Sequence, residues 1–271
     1  MQIDITEEKR KEIFQKNLFF KLFDPVCQIE TALNFARGGI WDLDDTEWPF
    51  QLAGTISPIK WNNDLYLITA KHVAQNMGLN HNQVMYYLPP DKYLSYDKTL
   101  NGDKNDNLKE DPCDDFVMLK IKEDDVYKEF EYVLKNSFME LNSNISFEDS
   151  LLDIYIRGCP NPMNFDGTKI DFDKQKISQQ CFVTNGFLNV RESECSGCYY
   201  VKMKTPTVET FGGDPQGMSG SLVYGVNEKC NAGVLGLLIG YNTLSMEYLV
   251  LSSEMIFQRC EAILKDCAAK L

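Results

Sequence analysis

Gly212-Gly213-Asp214-Pro215-Gln216-Gly217-Met218-Ser219-Gly220-Ser221 stands between a strand predicted over 200–205 and an apolar run that starts at Leu222. So many glycines beside a proline force a sharp turn that neither strand can continue. A serine between Gly217 and Gly220 projects its hydroxyl from such a turn, and the flanking glycines leave backbone N–H groups open to a ligand. Taken alone, a surface loop is the plainer reading. What changes it lies elsewhere in the chain.

A hydroxyl nucleophile needs a base, and histidine is the commonest one. The chain holds His72 and His81 only, and both precede Ser219. An α/β-hydrolase needs its histidine after the serine, so that arrangement is excluded. The order histidine, aspartate, serine is the one this chain can supply. His72 follows an apolar strand predicted over 65–70, and Asp115 opens the apolar run Phe116-Val117-Met118-Leu119-Lys120-Ile121. Asp114 is a rival for the acid. Alternation from Asp115 puts Val117 and Leu119 on its own side of the strand, which favours Asp115. His81, in Asn80-His81-Asn82, reads as an exposed loop residue.

The remaining pattern is of short strands and turns. A hairpin is predicted over 54–61 and 65–70 around Asn62-Asn63-Asp64, with Pro58 marking an edge or a bulge. Another strand is expected near 84–88. Residues 89–112, rich in Lys, Asp and Asn, read as a long surface loop. Residues 122–150 are charged and read as a link between two halves, with room for a short helix. Further strands are expected near 151–157, 180–190, 200–205, 222–225, 233–241 and 247–251. A helix is predicted over 5–23, capped by Thr6 and ended by Pro25, with Ile13, Phe14, Leu18 and Leu22 on one side. A second helix is predicted from about Glu254, capped by Ser252 or Ser253. Its apolar stripe is Ile256, Cys260, Ile263, Cys267 and Leu271.

Composition narrows the function classes. With 271 residues, 44% of them hydrophobic, the chain can bury a substantial core. A net charge of −13 and no large basic cluster argue against nucleic acid and anionic membrane as partners. There is no apolar run near the ~20 residues of a membrane helix, and no signal-type core follows the charged start. The expectation is therefore a cytoplasmic protein, with an unrecognised secretion route left open. The nine cysteines then read as reduced thiols. Cys195-Ser196-Gly197-Cys198 is one CxxC pair, and a zinc site would need two more ligands that two histidines can scarcely provide.

Several of these stretches resemble one family. Ile68-Thr69-Ala70-Lys71-His72 is similar to the Thr-Ala-x-His strand end of trypsin-like (chymotrypsin-fold) serine proteases. Asp115 with its apolar strand resembles their aspartate. Gly217-Met218-Ser219-Gly220-Ser221 resembles their nucleophile turn, and Gly236-Leu237-Leu238-Ile239-Gly240 the strand that lines their primary specificity pocket. Gly158-Cys159-Pro160 is similar to a turn early in the second barrel of bacterial members, and the motif style is that of non-secreted bacterial members. Together these cover roughly residues 50–250.

The resemblance implies an all-β fold with peripheral helices: two six-stranded antiparallel β-barrels, an N-terminal helix and a C-terminal helix. The boundaries implied are a helical extension over 1–25, a first barrel over 26–140, a second over 141–251 and a closing helix over 252–271. It implies a serine endopeptidase with His72, Asp115 and Ser219 as the triad, and with Gly217 and Ser219 N–H groups as the oxyanion hole. Its substrate is a protein or peptide, and no metal or cofactor is implied. Gly213, Asp214, Ile239, Gly240 and Tyr241 fall on the substrate pocket; Asp214 would attract a Lys or Arg side chain or else point into solvent. Two departures matter. Val73 stands where secreted members carry a cysteine, and Met218 stands where they carry the aspartate that pairs with a newly cut N-terminus. No trypsinogen-type activation is expected, and the turn must be held by packing or ordered by a partner. The alternatives are a catalytically silent protein on the same fold, and an effector or defence protease with one target, switched on by a regulatory protein.

Overall fold

The computed structural model describes residues 19–42, 50–75, 84–88, 92–101, 111–141, 144–160, 170–171, 176–177, 181–204 and 215–268. The chain is mostly β, with two antiparallel sheets and a few helices. This is consistent with the two-barrel expectation, with seven strands in each sheet rather than six.

The first sheet comprises β1 (Arg37–Asp42), β2 (Phe50–Trp61), β3 (Asp64–Thr69), β4 (Val84–Leu88), β5 (Lys92–Leu94), β6 (Tyr96–Asn101) and β7 (Val117–Ile121). Its order is β5-β4-β1-β2-β3-β7-β6. The β2–β3 hairpin turns through Asn62 and Asn63, at φ 51° and 66°. Two consecutive left-handed residues are what a tight hairpin needs, and asparagine tolerates them. Pairing of β1 along β2 stops at Ile56, so Pro58 sits where β2 has β3 alone as its strand partner and no ladder donor is missed.

The polar stretch after Leu88 differs from the long loop expected. Residues 92–101 form β5 and β6, because Leu94 and Leu100 alternate into the core at 2% exposure each among the charged residues. Residues 102–110 lie outside the described set.

Helix α1 (Phe19–Leu33) also departs from expectation. It runs through Pro25 to Leu33, and the expected start at 5–18 lies outside the described residues. A mid-helix proline removes one backbone bond. Here burial of Ile29, Ala32 and Leu33, all at 2% or less, outweighs it. This helix packs on the second sheet. Helix α2 (Lys71–Gln75) follows β3 directly. Helix α3 (Asp125–Ser137) lies in the charged link and is capped by Asp124, which accepts from Tyr127 N–H.

The second sheet comprises β8 (Leu151–Gly158), then, after the separate short pair β9 (Ile170–Asp171) and β10 (Lys176–Ile177), β11 (Phe182–Asn185), β12 (Phe187–Glu192), β13 (Cys198–Met203), β14 (Leu222–Asn227), β15 (Ala232–Asn242) and β16 (Glu247–Ser252). Its order is β11-β8-β14-β15-β16-β13-β12. Neighbours along these strands alternate between two cores. Leu222, Leu237 and Leu251 join the core shared with the first sheet and α1, while Val223, Leu238 and Val250 join the second sheet's own. Both faces of β14, β15 and β16 are covered, which is why these three strands read as apolar runs.

Helix α4 (Ser253–Ala268) closes the chain, with Ser252 Oγ accepting from Met255 N–H. Its Phe257 meets Trp61 edge-on at 6.4 Å, and Trp61 tilts on Tyr66 at 5.7 Å. Such aromatic pairs add about 1 kcal/mol each beyond the area they bury. No helix among the described residues is long and apolar enough to cross a membrane.

Candidate active site

His72 is the second residue of α2, which Ala70 alone separates from the end of β3 at Thr69. Its backbone N–H donates to Asp115 Oδ1 at 2.8 Å, and its ring Nδ1 lies 2.6 Å from Asp115 Oδ2. One carboxylate therefore grips the histidine twice, from main chain and from ring. With Nδ1–H donated to Asp115, the neutral imidazole carries its lone pair on Nε2, the atom a base uses.

The neighbouring aspartates are held elsewhere. Asp111 accepts from Cys113 N–H at 3.0 Å, opening the 3-10 turn Pro112–Asp114. Arg259 of α4 pairs with both Asp111 and Asp114 at 3.2 Å. Asp115 is thus the member of this acidic run that faces His72. Cys113, two residues upstream, has its thiol pushed up to about 11, chiefly by burial, and it donates to Ser196 O at 2.9 Å. That contact seats the CxxC turn against the segment that carries Asp115.

Ser219 comes from the connection before β14, and the first sheet receives it. Thr55 N–H donates to Ser219 O at 2.8 Å. Gly54, at φ +60°, lies between the two parts of the site: a Cβ there would run into Val73 Cγ1 and come within 3.1 Å of Ser219 O. Val73 is the residue after His72, so the serine turn and the histidine helix meet over one bare glycine. Among the described residues no hydrogen bond joins Ser219 Oγ to the His72 ring. Such bonds often tighten only when substrate is bound.

Four hydroxyls fix the turn. Thr55 Oγ1 donates to Gly217 O at 2.9 Å and accepts from Cys159 N–H at 2.9 Å. Ser57 Oγ donates to Gly220 O at 3.1 Å, and Ser221 Oγ to Met218 O at 2.6 Å. Thr69 Oγ1 donates to Thr55 O at 2.7 Å, joining β3 to the same place. Thr55 and Ser57 are fully buried. They went unnoticed in the sequence, and the available signal was a pair of hydroxyl residues at alternate positions of the otherwise apolar stretch 52–59.

Met218 is 1% exposed and belongs to the second sheet's core. A Cβ on Gly158 would come within 2.7 Å of its sulfur, so the glycine makes room for it. Packing therefore holds the turn through Met218. Gly217 and Gly220 take φ of 92° and 93°, which only glycine adopts without strain. Gly217 O and Ser219 O are both bonded to Thr55, whereas no acceptor among the described residues takes the N–H of Gly217 or of Ser219. Two backbone donors at one turn are the kind of group that can meet an anion.

Of the residues expected on a substrate pocket, Gly213 and Asp214 lie outside the described set, as does His81. Gly220 N–H donates to Leu238 O, and Leu238 N–H to Ser221 O, so Ile239, Gly240 and Tyr241 run on along β15 from the serine turn. Tyr241 is half-buried, its ring lies 5.1 Å from that of Tyr248, and its hydroxyl has no hydrogen-bond partner among the described residues.

No family model matches the chain, and no curated protein matches it. Solved structures do. One comes from work on the coupled folding and binding of the Sesbania mosaic virus VPg protein: 13% identity, TM-score 0.41, covering 81% of this chain and 92% of that one. Another is the structure of Glu endopeptidase in complex with MPD: 12% identity, TM-score 0.49, covering 86% and 91%. Both likenesses are distant, so the chemistry of the site is read from this chain's own residues.

Replacing Thr55 by valine keeps the shape of the side chain and strands the buried Cys159 N–H and the part-buried Gly217 O. The expected loss of stability is about 3 kcal/mol. Urea denaturation checks it, as a lower midpoint at unchanged slope.

Proposed function

We propose that this chain is a serine endopeptidase working through His72, Asp115 and Ser219. The observation that supports this most is the double grip of Asp115 on His72 beside a serine turn with two open N–H donors. Ser219 Oγ attacks the substrate carbonyl carbon while His72 Nε2 takes its proton. Asp115 Oδ2 holds Nδ1–H and favours the imidazolium that forms. The oxyanion meets the N–H groups of Gly217 and Ser219, each such donor being worth roughly 3–4 kcal/mol in the transition state. Collapse expels the amine, which takes the proton from Nε2. Water then repeats the sequence on the acyl-enzyme.

The turn is packed through Met218, so the uncut chain is the active form on this proposal. Ile239, Gly240 and Tyr241 would form one wall of the substrate pocket.

A fluorophosphonate probe tests the proposal: the uncut wild type should be labelled and Ser219→Ala should not. One observation favours a second reading, a non-catalytic protein on the same fold, namely that Ser219 Oγ is not hydrogen-bonded to His72. Absence of labelling in the wild type, alone and with candidate partners, would select that reading.

A further inference from the structure

Cys159 follows the last residue of β8 and Cys181 precedes the first residue of β11. The register pairs Gly158 with Phe182, so these cysteines are the next cross-strand pair beyond the ladder. Their sulfurs lie 2.9 Å apart with no disulfide between them, and Cys181 Sγ also donates to Ala36 O at 3.7 Å. Residues directly opposite on antiparallel strands have Cα atoms about 4.5–5.5 Å apart, within the span a disulfide bridges. The two are unequally reachable: Cys159 is 3% exposed, whereas Cys181 is only half-buried. Cys113 and Cys198 also touch, but burial raises both of those thiols, which lowers the thiolate fraction that exchange needs.

We propose that Cys159 and Cys181 are a thiol–disulfide exchange site whose co-reactant is a low-molecular-weight disulfide of the glutathione class. Cys181 gives up its proton, and its thiolate attacks one sulfur of the small disulfide. That S–S bond breaks and one thiolate leaves, taking up a proton. Cys159, already in contact, attacks Cys181 Sγ as a thiolate and expels the second small thiol in the same way. Two protein thiols are oxidised by two electrons, and the small disulfide is reduced to two thiols. The bridge closes beside the serine turn, because Cys159 N–H donates to Thr55 Oγ1, which donates to Gly217 O. The proposal does not depend on catalysis at Ser219.

The test is peptide mapping of the full chain after incubation with glutathione disulfide, acid quench and alkylation. The expected product is a single linked pair joining Cys159 to Cys181, with Tm raised by about 5 °C and restored by dithiothreitol. Cys159→Ser should accumulate glutathione on Cys181, while Cys181→Ser should leave Cys159 unmodified. Recovery of both residues as free thiols in the wild type overturns the proposal, and so does glutathione that stays on wild-type Cys181. The wild-type map decides the matter even where a variant fails to fold.

Discussion

Asp115→Asn is expected to lower kcat/KM by about four orders of magnitude while leaving the urea midpoint nearly unchanged. The carboxylate accepts twice, from His72 N–H on Oδ1 and from the ring Nδ1 on Oδ2. Asparagine has the same shape and one acceptor. Whichever way its amide is turned, an NH2 group faces a donor. Facing the ring, that NH2 forces Nδ1 to be the acceptor and puts the imidazole proton on Nε2. A ring protonated there cannot take the proton of Ser219. Stability changes little because the site is partly open, with His72 and Asp115 at 33% and 21% exposure, so solvent satisfies the mismatched groups. Steady-state hydrolysis of a peptide ester measures the first quantity and denaturation the second. A loss of less than tenfold would mean that Asp115 does not set the tautomer, and the triad assignment would fall with it.

Gly220→Ala should be the most destabilising alanine substitution among the described glycines, at about 4 kcal/mol. Two effects combine. The backbone sits at φ 93°, which costs a non-glycine residue roughly 1–3 kcal/mol. The added carbon would also run into Thr55 O and come within 2.5 Å of Thr69 Oγ1. Thr55 O is backbone in the middle of β2, so it cannot swing aside, and overpacking of that kind costs roughly a further 1–3 kcal/mol. Relief would require lifting the turn off β2, which breaks the bonds from Thr55 N–H to Ser219 O and from Ser57 Oγ to Gly220 O. Fluorophosphonate labelling should therefore fall along with stability. Thr69→Ala in the same chain removes one of the two obstacles and should recover less than half of the loss. Full recovery would show that the carbonyl contact is unimportant.

That His72 and Asp115 lie together was legible because only two histidines were available and because Thr69-Ala70-Lys71-His72 and the aspartate opening an apolar strand resemble protease motifs. The β2–β3 hairpin and the strands of the second sheet were legible for a different reason: unbroken apolar runs between turn residues have few other uses. What failed to show was decided by packing between distant segments. Pro25 signals a helix end locally, and the burial of Ile29, Ala32 and Leu33 overrides it. The strands over 92–101 are hard to see in the sequence because Lys92, Asp97 and Lys98 interrupt the apolar residues, although Leu94 and Leu100 are buried. Thr55 and Ser57 look like ordinary strand residues, since threonine favours strands whatever its hydroxyl does. Their role exists only in relation to a turn more than 160 positions away.

That separation has a consequence during synthesis. The ribosome makes Thr55 and Ser57 early and the serine turn late, and the carbonyls of the turn dock on those two residues. A nascent chain that has folded its first sheet has the histidine and the aspartate but nothing to attack with. A detached C-terminal fragment would have the serine without the strands that shape its turn. On the peptidase reading, neither half can cut its neighbours, and proteolytic competence arrives only with the finished molecule.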